Sequence, residues 1–180
     1  EEVIKYLNVS EGKIYIDDTD ISQIGLSKLR SNITIIPQDP TLMEGTLRFN
    51  IDPLNIHTDQ EIENVMKEIG FWYICERNLE ENKNKPDSEK GLNMIITEDG
   101  GNISIGERQL ICITRAILRK SKIVVMDEAT ASIDVNTENI IQKAIKNLLF
   151  DSSILTIAHR IKTVLNSDRI LVLDNGDVKE

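Results

Sequence analysis

The run Ile123-Val124-Val125-Met126, followed directly by Asp127-Glu128, constrains this chain most. A short, continuous, β-branched apolar run reads as a strand buried on both faces, the kind found in parallel sheets. The carboxylates then emerge at the strand's C-terminal end, which in an open α/β sheet faces the ligand crevice. An acidic pair there suits a magnesium ion beside a general base. An ordinary acidic turn after a strand accounts for the same residues equally well, so the pair needs context.

Three further segments supply it. Ile33-Thr34-Ile35-Ile36 runs into Pro37 and Gln38. Ser153 to Ala158 is apolar in character and ends at His159. Ile14-Tyr15-Ile16 opens a hairpin-like segment and ends in Asp17-Asp18. Placed in one parallel sheet, these runs gather a glutamine, an aspartate, a glutamate and a histidine at strand ends, which favours a site over coincidence.

A second signal lies upstream, at Asn102-Ile103-Ser104-Ile105-Gly106-Glu107-Arg108-Gln109. It precedes a helical pattern carried by Leu110, Ile113, Ile117 and Leu118. Ser104 with Glu107 three residues on is a capping box. Helix N-termini offer unpaired N–H groups and partial positive charge, so they also bind phosphate. A plain capped helix is the commoner use of such a pattern. Its position, leading straight to the acidic strand, argues for the phosphate reading.

The order and spacing of these segments resemble the nucleotide-binding domain of an ATP-binding cassette transporter along nearly the whole chain. Ile103 to Glu107 is similar to the signature motif, and Ile123 to Glu128 to Walker B with its catalytic glutamate. Ala131-Ser132-Ile133-Asp134 is similar to the D-loop, Gln38 to the Q-loop glutamine and His159 to the switch histidine. Ile36 to Pro40, Gly45 to Arg48 and Asp127 to Ala131 resemble the second such domain of the multidrug-resistance-associated (C) subfamily. The resemblance implies an α/β fold: a P-loop NTPase-like parallel sheet core with an inserted helical subdomain. Residues 1–44 and 120–180 would form the partial RecA-like ATPase core, and 45–119 the helical subdomain. No G-x-x-x-x-G-K-[ST] occurs in the sequence. In the family that loop would lie shortly before Glu1, so the N-terminal part of the core is expected to be missing. Residues Glu1 to Leu7 resemble the tail of the helix after it. A piece of a longer polypeptide is the favoured reading and a natural truncation the alternative. The 180 residues alone are expected to lack ATP turnover.

The resemblance also implies roles. Asp127 and Gln38 would hold Mg2+. Glu128 would be the general base, with Gln38 and His159 as catalytic partners. Ser104, Gly106 and Glu107 would close over ATP held by a second nucleotide-binding domain, and Asp134 would bridge the two sites. Transmembrane domains and their coupling helices would be the other partners, placing the chain at the cytoplasmic face of a membrane as the ATP-hydrolysing motor of an exporter. Two alternatives stand beside it: a soluble ATPase of the DNA-repair or translation kind, and a domain that binds without hydrolysing. The short interval between Gln38 and the signature lacks coiled-coil heptads, which disfavours the repair kind. Glu107 stands where the family usually has glutamine. Our expectation is that its charge opposes an incoming phosphate, so that glutamine there would strengthen closure; the competing role is capping alone.

Composition sets bounds. A formal net charge of −9 argues against a nucleic-acid partner, which calls for a basic stripe. No apolar stretch reaches the length of a membrane-spanning helix. Cys75 and Cys112 are widely separated, and reduced thiols are the default reading. Within 45–119, Thr58 to Glu61 opens a helix with Ile62, Val65, Met66 and Ile69 on one face. Asn78 to Lys90 reads as a solvated loop. Glu138 to Phe150 reads as a helix packing Ile140, Ile141, Ala144, Ile145 and Leu148. Phe71-Trp72-Tyr73 reads as subdomain packing first, and as a groove for a coupling helix second. Glu98 to Gly101 resembles a loop touching that same helix, and His57 is assigned no role.

Overall fold

A computed structural model describes residues 12–84, 86–127, 135–157, 165 and 167–179. Three β-branched segments form one parallel sheet: β3 (Ile33–Ile36), β6 (Ile123–Asp127) and β7 (Ser153–Ile157), in the order β3-β6-β7. Ile33 pairs with Ile123, which in turn pairs with Ser153, so the three strands start level and their C-terminal ends share one edge. Ile14 to Ile16 does not join this sheet. Its strand β1 (Tyr15–Ile16) pairs antiparallel with β2 (Thr19–Asp20). Asp17 and Asp18, both at positive φ, make the tight turn that folds it back on itself. Asp17 and Asp18 are therefore turn residues and not part of the strand-end constellation.

Burial on both faces also proves too strong. Val124 and Met126 are enclosed, whereas Ile123 and Val125 are half-buried and Leu155 and Ile157 of β7 are exposed. The reason is one-sided cover: β3 packs against α5 (Ile105–Arg119), which buries the face carrying Ile36, Val124 and Met126.

Helices between β3 and β6 complete the core. They are α2 (Leu47–Ile51), α3 (Asp59–Glu68), α4 (Tyr73–Glu81) and α5, with α1 (Leu26–Asn32) just before β3. A small antiparallel pair, β4 (Gly45–Thr46) with β5 (Ile95–Ile96), clasps the two ends of this insert, and Leu47 N–H donates to Met94 C=O. In α3, Ile62, Met66 and Ile69 are fully buried and Val65 packs beside them, with the Thr58–Glu61 capping box formed as expected. Phe71 is completely buried, Trp72 packs against the core and Tyr73 is exposed. Phe71 and Trp72 therefore pack the subdomain, as the first reading of this aromatic trio has it.

The polar stretch from Asn78 is not all loop. α4 runs on to Glu81, and a 3-10 turn forms at Asp87–Glu89. Ile74 and Cys75 anchor the helix, and Asn78 Oδ1 accepts from Gly91 N–H, which ties the polar segment back onto it. The last helix, α6 (Val135–Leu148), buries Ile141, Ala144, Ile145 and the adjoining Leu149. Leu148 packs half-buried beside them, so of the expected stripe only Ile140 stays exposed. Near the C-terminal end β8 (Leu173–Asp174) pairs with β9 (Asp177–Val178).

Candidate functional site

The level register of β3, β6 and β7 places chemistry at one edge. Ile36 lies opposite Met126 and Asp127 opposite Ile157. Gln38 therefore follows β3 at the same end at which Asp127 closes β6, and β7 leads toward His159 from that end too. Glu128, Asp134 and His159 lie outside the described residues. The junction into β6 is fixed by hydrogen bonds. Ser121 and Thr34 share a buried 2.6 Å hydroxyl pair, and Ser152 Oγ donates to Ser121 C=O at 2.7 Å. Lys120 turns the chain from α5 at φ 48.

α5 carries the second half of the candidate site. Ser104 Oγ accepts from Glu107 N–H at 3.2 Å, while Glu107 Oε2 accepts from Ser104 N–H at 2.8 Å. The expected capping box is therefore formed. It uses the N–H groups of Ser104 and Glu107 and leaves those of Ile105 and Gly106 without an intrahelical acceptor. Ser104 and Ile105 are exposed and Gly106 is half-buried.

Glu107 itself points inward. It is 5% exposed, its Oε1 is 3.0 Å from Arg77 Nη2, and Tyr73 Oη donates to that oxygen at 3.4 Å. An uncompensated carboxylate facing a phosphate is not what this geometry provides. The capping alternative matches it, with Arg77 as counterion. Sequence reasoning did not find Arg77 and read Tyr73 only as part of an aromatic cluster, because nothing local links α4 to a motif some thirty residues further on.

The same helix grips the segment after β3 at two points. Gln109 Nε2 donates to Gln38 C=O at 3.0 Å, and Gln109 Oε1 is buried without a partner among the described residues. Arg115 Nε donates to Asn50 C=O, and Arg115 Nη2 to Asn50 Oδ1 at 3.3 Å. Asn50, fully buried, in turn pairs with both backbone groups of Met43. The loop from Gln38 to Met43 is thus clamped to α5 at each end. A polar Gln109 beside Leu110 in an otherwise apolar stripe was the available signal for the first clamp.

The donors fit magnesium. Asp127 and Gln38 offer oxygen ligands at one strand edge, and a magnesium site is completed by water and phosphate oxygens rather than by a protein cage. Both cysteines are free and buried, and burial pushes the Cys75 thiol up to about 12, so it is no nucleophile.

Residues 3–131 match the family model described as ABC transporter. The chain belongs to the ABC transporter family. Similar relatives are ATP-binding cassette sub-family C member 2 of Homo sapiens, 47% identical over 99% of this chain and 11% of its own length, and Metal resistance protein YCF1 of Saccharomyces cerevisiae, 46% identical over 99% of this chain and 11% of its own. The chain thus spans about a tenth of the length of these curated relatives. Among solved structures, a bacterial Atm1-family ABC exporter with ATP bound superposes at a TM-score of 0.83, with 31% identity over 95% of this chain and 28% of that one. A sub-family C member among these relatives agrees with the resemblance to that subfamily expected from the sequence. The parallel sheet with its helical insert is the ABC transporter arrangement.

Among the described residues no helix is long and apolar enough to cross a membrane. A cleft of about 420 Å³ opens beside the clamped loop. Leu26, Ile33 and Pro37 give it an apolar floor, and Arg30, Arg115 and Arg119 line it with positive charge.

Proposed function

We propose that this chain is part of the ATP-hydrolysing motor of an ABC exporter, working at the cytoplasmic face of a membrane. The observation that carries the reading is the level parallel register of β3 and β6, which brings Gln38 and Asp127 to one edge beside a helix clamped to the Gln38 loop. In this proposal the core comprises 1–44 and 120–180, and 45–119 is the helical insert.

Asp127 and Gln38 would hold Mg2+, and when bound the ion would neutralise phosphate charge. Glu128 takes a proton from the attacking water. His159 holds the γ-phosphate in the geometry of transfer. Phosphoryl transfer needs positioning and charge neutralisation more than covalent chemistry, so these groups suffice. Ser104, Gly106 and the adjoining backbone donors of α5 close over nucleotide held by a second nucleotide-binding domain, and Asp134 bridges the two. Glu107 contributes through the cap and not by touching the nucleotide.

The two clamps from α5 support a coupling role. A helix gripping Gln38 C=O and Asn50 moves with the loop that reaches the magnesium site, so closure at the Ser104 end is felt at Gln38. The basic cleft beside that loop has the size and character to receive a short acidic or amphipathic helix, and we assign it to a coupling helix of the transmembrane domains. The 180 residues alone, without a G-x-x-x-x-G-K-[ST] segment, are expected to show no turnover.

Glu128→Gln in the intact transporter tests the reading. ATP binding should persist while turnover falls by about two to four orders of magnitude, the cost of losing a general base. Near-normal turnover would remove Glu128 from that role.

A further inference from the structure

We propose that Arg77 is a positioning residue that neutralises the Glu107 carboxylate and locks it into the cap of α5, so that the end of this helix can receive an anion. The inference rests on the functional reading above, in which that end meets nucleotide, and goes beyond it in assigning Arg77.

The argument begins with an electrostatic conflict. An acidic residue in a helix's first turn favours the helix dipole but disfavours a phosphate arriving at the same end. Glu107 occupies that turn and is almost fully enclosed. A buried carboxylate needs a counterion or several hydrogen bonds. Glu107 has both. Ser104 N–H meets Oε2 at 2.8 Å, Arg77 Nη2 lies 3.0 Å from Oε1, and Tyr73 Oη reaches that oxygen at 3.4 Å.

Tyr73 and Arg77 stand four residues apart on α4, hence on one face of that helix, and both converge on one carboxylate oxygen. With Oε1 taken from the α4 side, Oε2 is left to the Ser104 amide. The anion seat then consists of the Ser104 hydroxyl and the N–H groups of Ile105 and Gly106, with the neighbouring negative charge matched by a guanidinium. Arg77 is 45% exposed, so it can be replaced without opening the core.

A merely bracing role would be lost in any variant that breaks the pair. A charge-matching role is restored when both charges leave together. The experiment is therefore a double-mutant cycle in the intact transporter, reading KM for ATP and kcat. Arg77→Met keeps an apolar stem and removes the charge. It should raise KM about three- to tenfold, the scale of one charge acting at a helix terminus, with a smaller change in kcat. Arg77→Lys should stay within about twofold of wild type, and the KM increase of Arg77→Met should shrink at high salt. Adding Glu107→Gln to Arg77→Met should return KM to within about twofold of wild type, and Glu107→Gln alone, which leaves the guanidinium unmatched, should not raise KM.

Unchanged KM in Arg77→Met would overturn the proposal. So would a double variant as impaired as Arg77→Met, which would make Arg77 a brace. Gly106→Asp separates this from the broader reading: it places a carboxylate directly at the seat and should abolish turnover. If Gly106→Asp turns over normally, α5 does not meet nucleotide and the proposal falls with that reading. If Gly106→Asp is dead while Arg77→Met is unaffected, only the assignment of Arg77 is lost.

Discussion

Gln109→Leu separates the stability of this domain from its coupling. The side chain is 1% exposed, its Nε2 donates to Gln38 C=O at 3.0 Å, and its Oε1 is buried without a partner among the described residues. Leucine has similar volume and no polar atoms. Losing one neutral hydrogen bond costs about 0.5–1.5 kcal/mol. Removing a buried unsatisfied oxygen returns about 1–3 kcal/mol of desolvation. The two effects oppose each other, so the net change should lie between about 0.5 kcal/mol of destabilisation and about 2.5 kcal/mol of stabilisation. The Gln38 loop, however, loses its tie to α5 at the end nearest the proposed magnesium site. If that tie sets how often Gln38 stands in place, its loss lowers turnover by about 2- to 12-fold, the same 0.5–1.5 kcal/mol expressed as a rate. The assay is steady-state ATP hydrolysis by the intact transporter beside a thermal melt of the same preparation. Turnover that is unchanged at unchanged stability would refute the clamp as a coupling element. A melt lowered by many degrees would refute the balance of terms.

Two further outcomes follow from local geometry. Gly100 sits at φ +69, and a Cβ there would lie 2.8 Å from Arg108 Cδ and 3.0 Å from Leu42 Cδ1, so Gly100→Ala should destabilise by about 1–2 kcal/mol, read as a lowered melting temperature; an unchanged melt would show that the Arg108 stem simply yields. Hydrogen bonds from the Thr58 N–H and hydroxyl hold the Glu61 carboxyl below its ordinary value, so the cap's contribution is fully present above the unfolded-state value and is lost as pH falls through the lower folded one. Glu61→Gln should therefore melt below wild type at neutral pH, and the gap should narrow as pH falls through the lowered folded value; a gap that does not narrow in acid would contradict the sign.

Local chemistry wrote much of this molecule into its sequence. Short β-branched runs specified β3, β6 and β7, because only strands use such runs economically. Ser104 with Glu107 and Thr58 with Glu61 specified two helix starts, because each pair satisfies its donors within four residues. Gln38 and Asp127 were legible as residues at the ends of neighbouring strands because a strand's end is encoded next to the strand. What spans distance was not legible. The hairpin-like character of Ile14 to Asp18 was legible, but that its strand pairs only with Thr19–Asp20 and stays out of the parallel sheet was not. The helical end of the polar stretch from Asn78 depends on Ile74 and Cys75 finding the core and on Gly91 finding Asn78. Above all, Glu107 has one identity in the sequence and two opposite electrostatic meanings. Tertiary packing chose between them by bringing Arg77 and Tyr73 of another helix to the same carboxylate oxygen, because the meaning of a charge depends on neighbours that only the folded chain supplies.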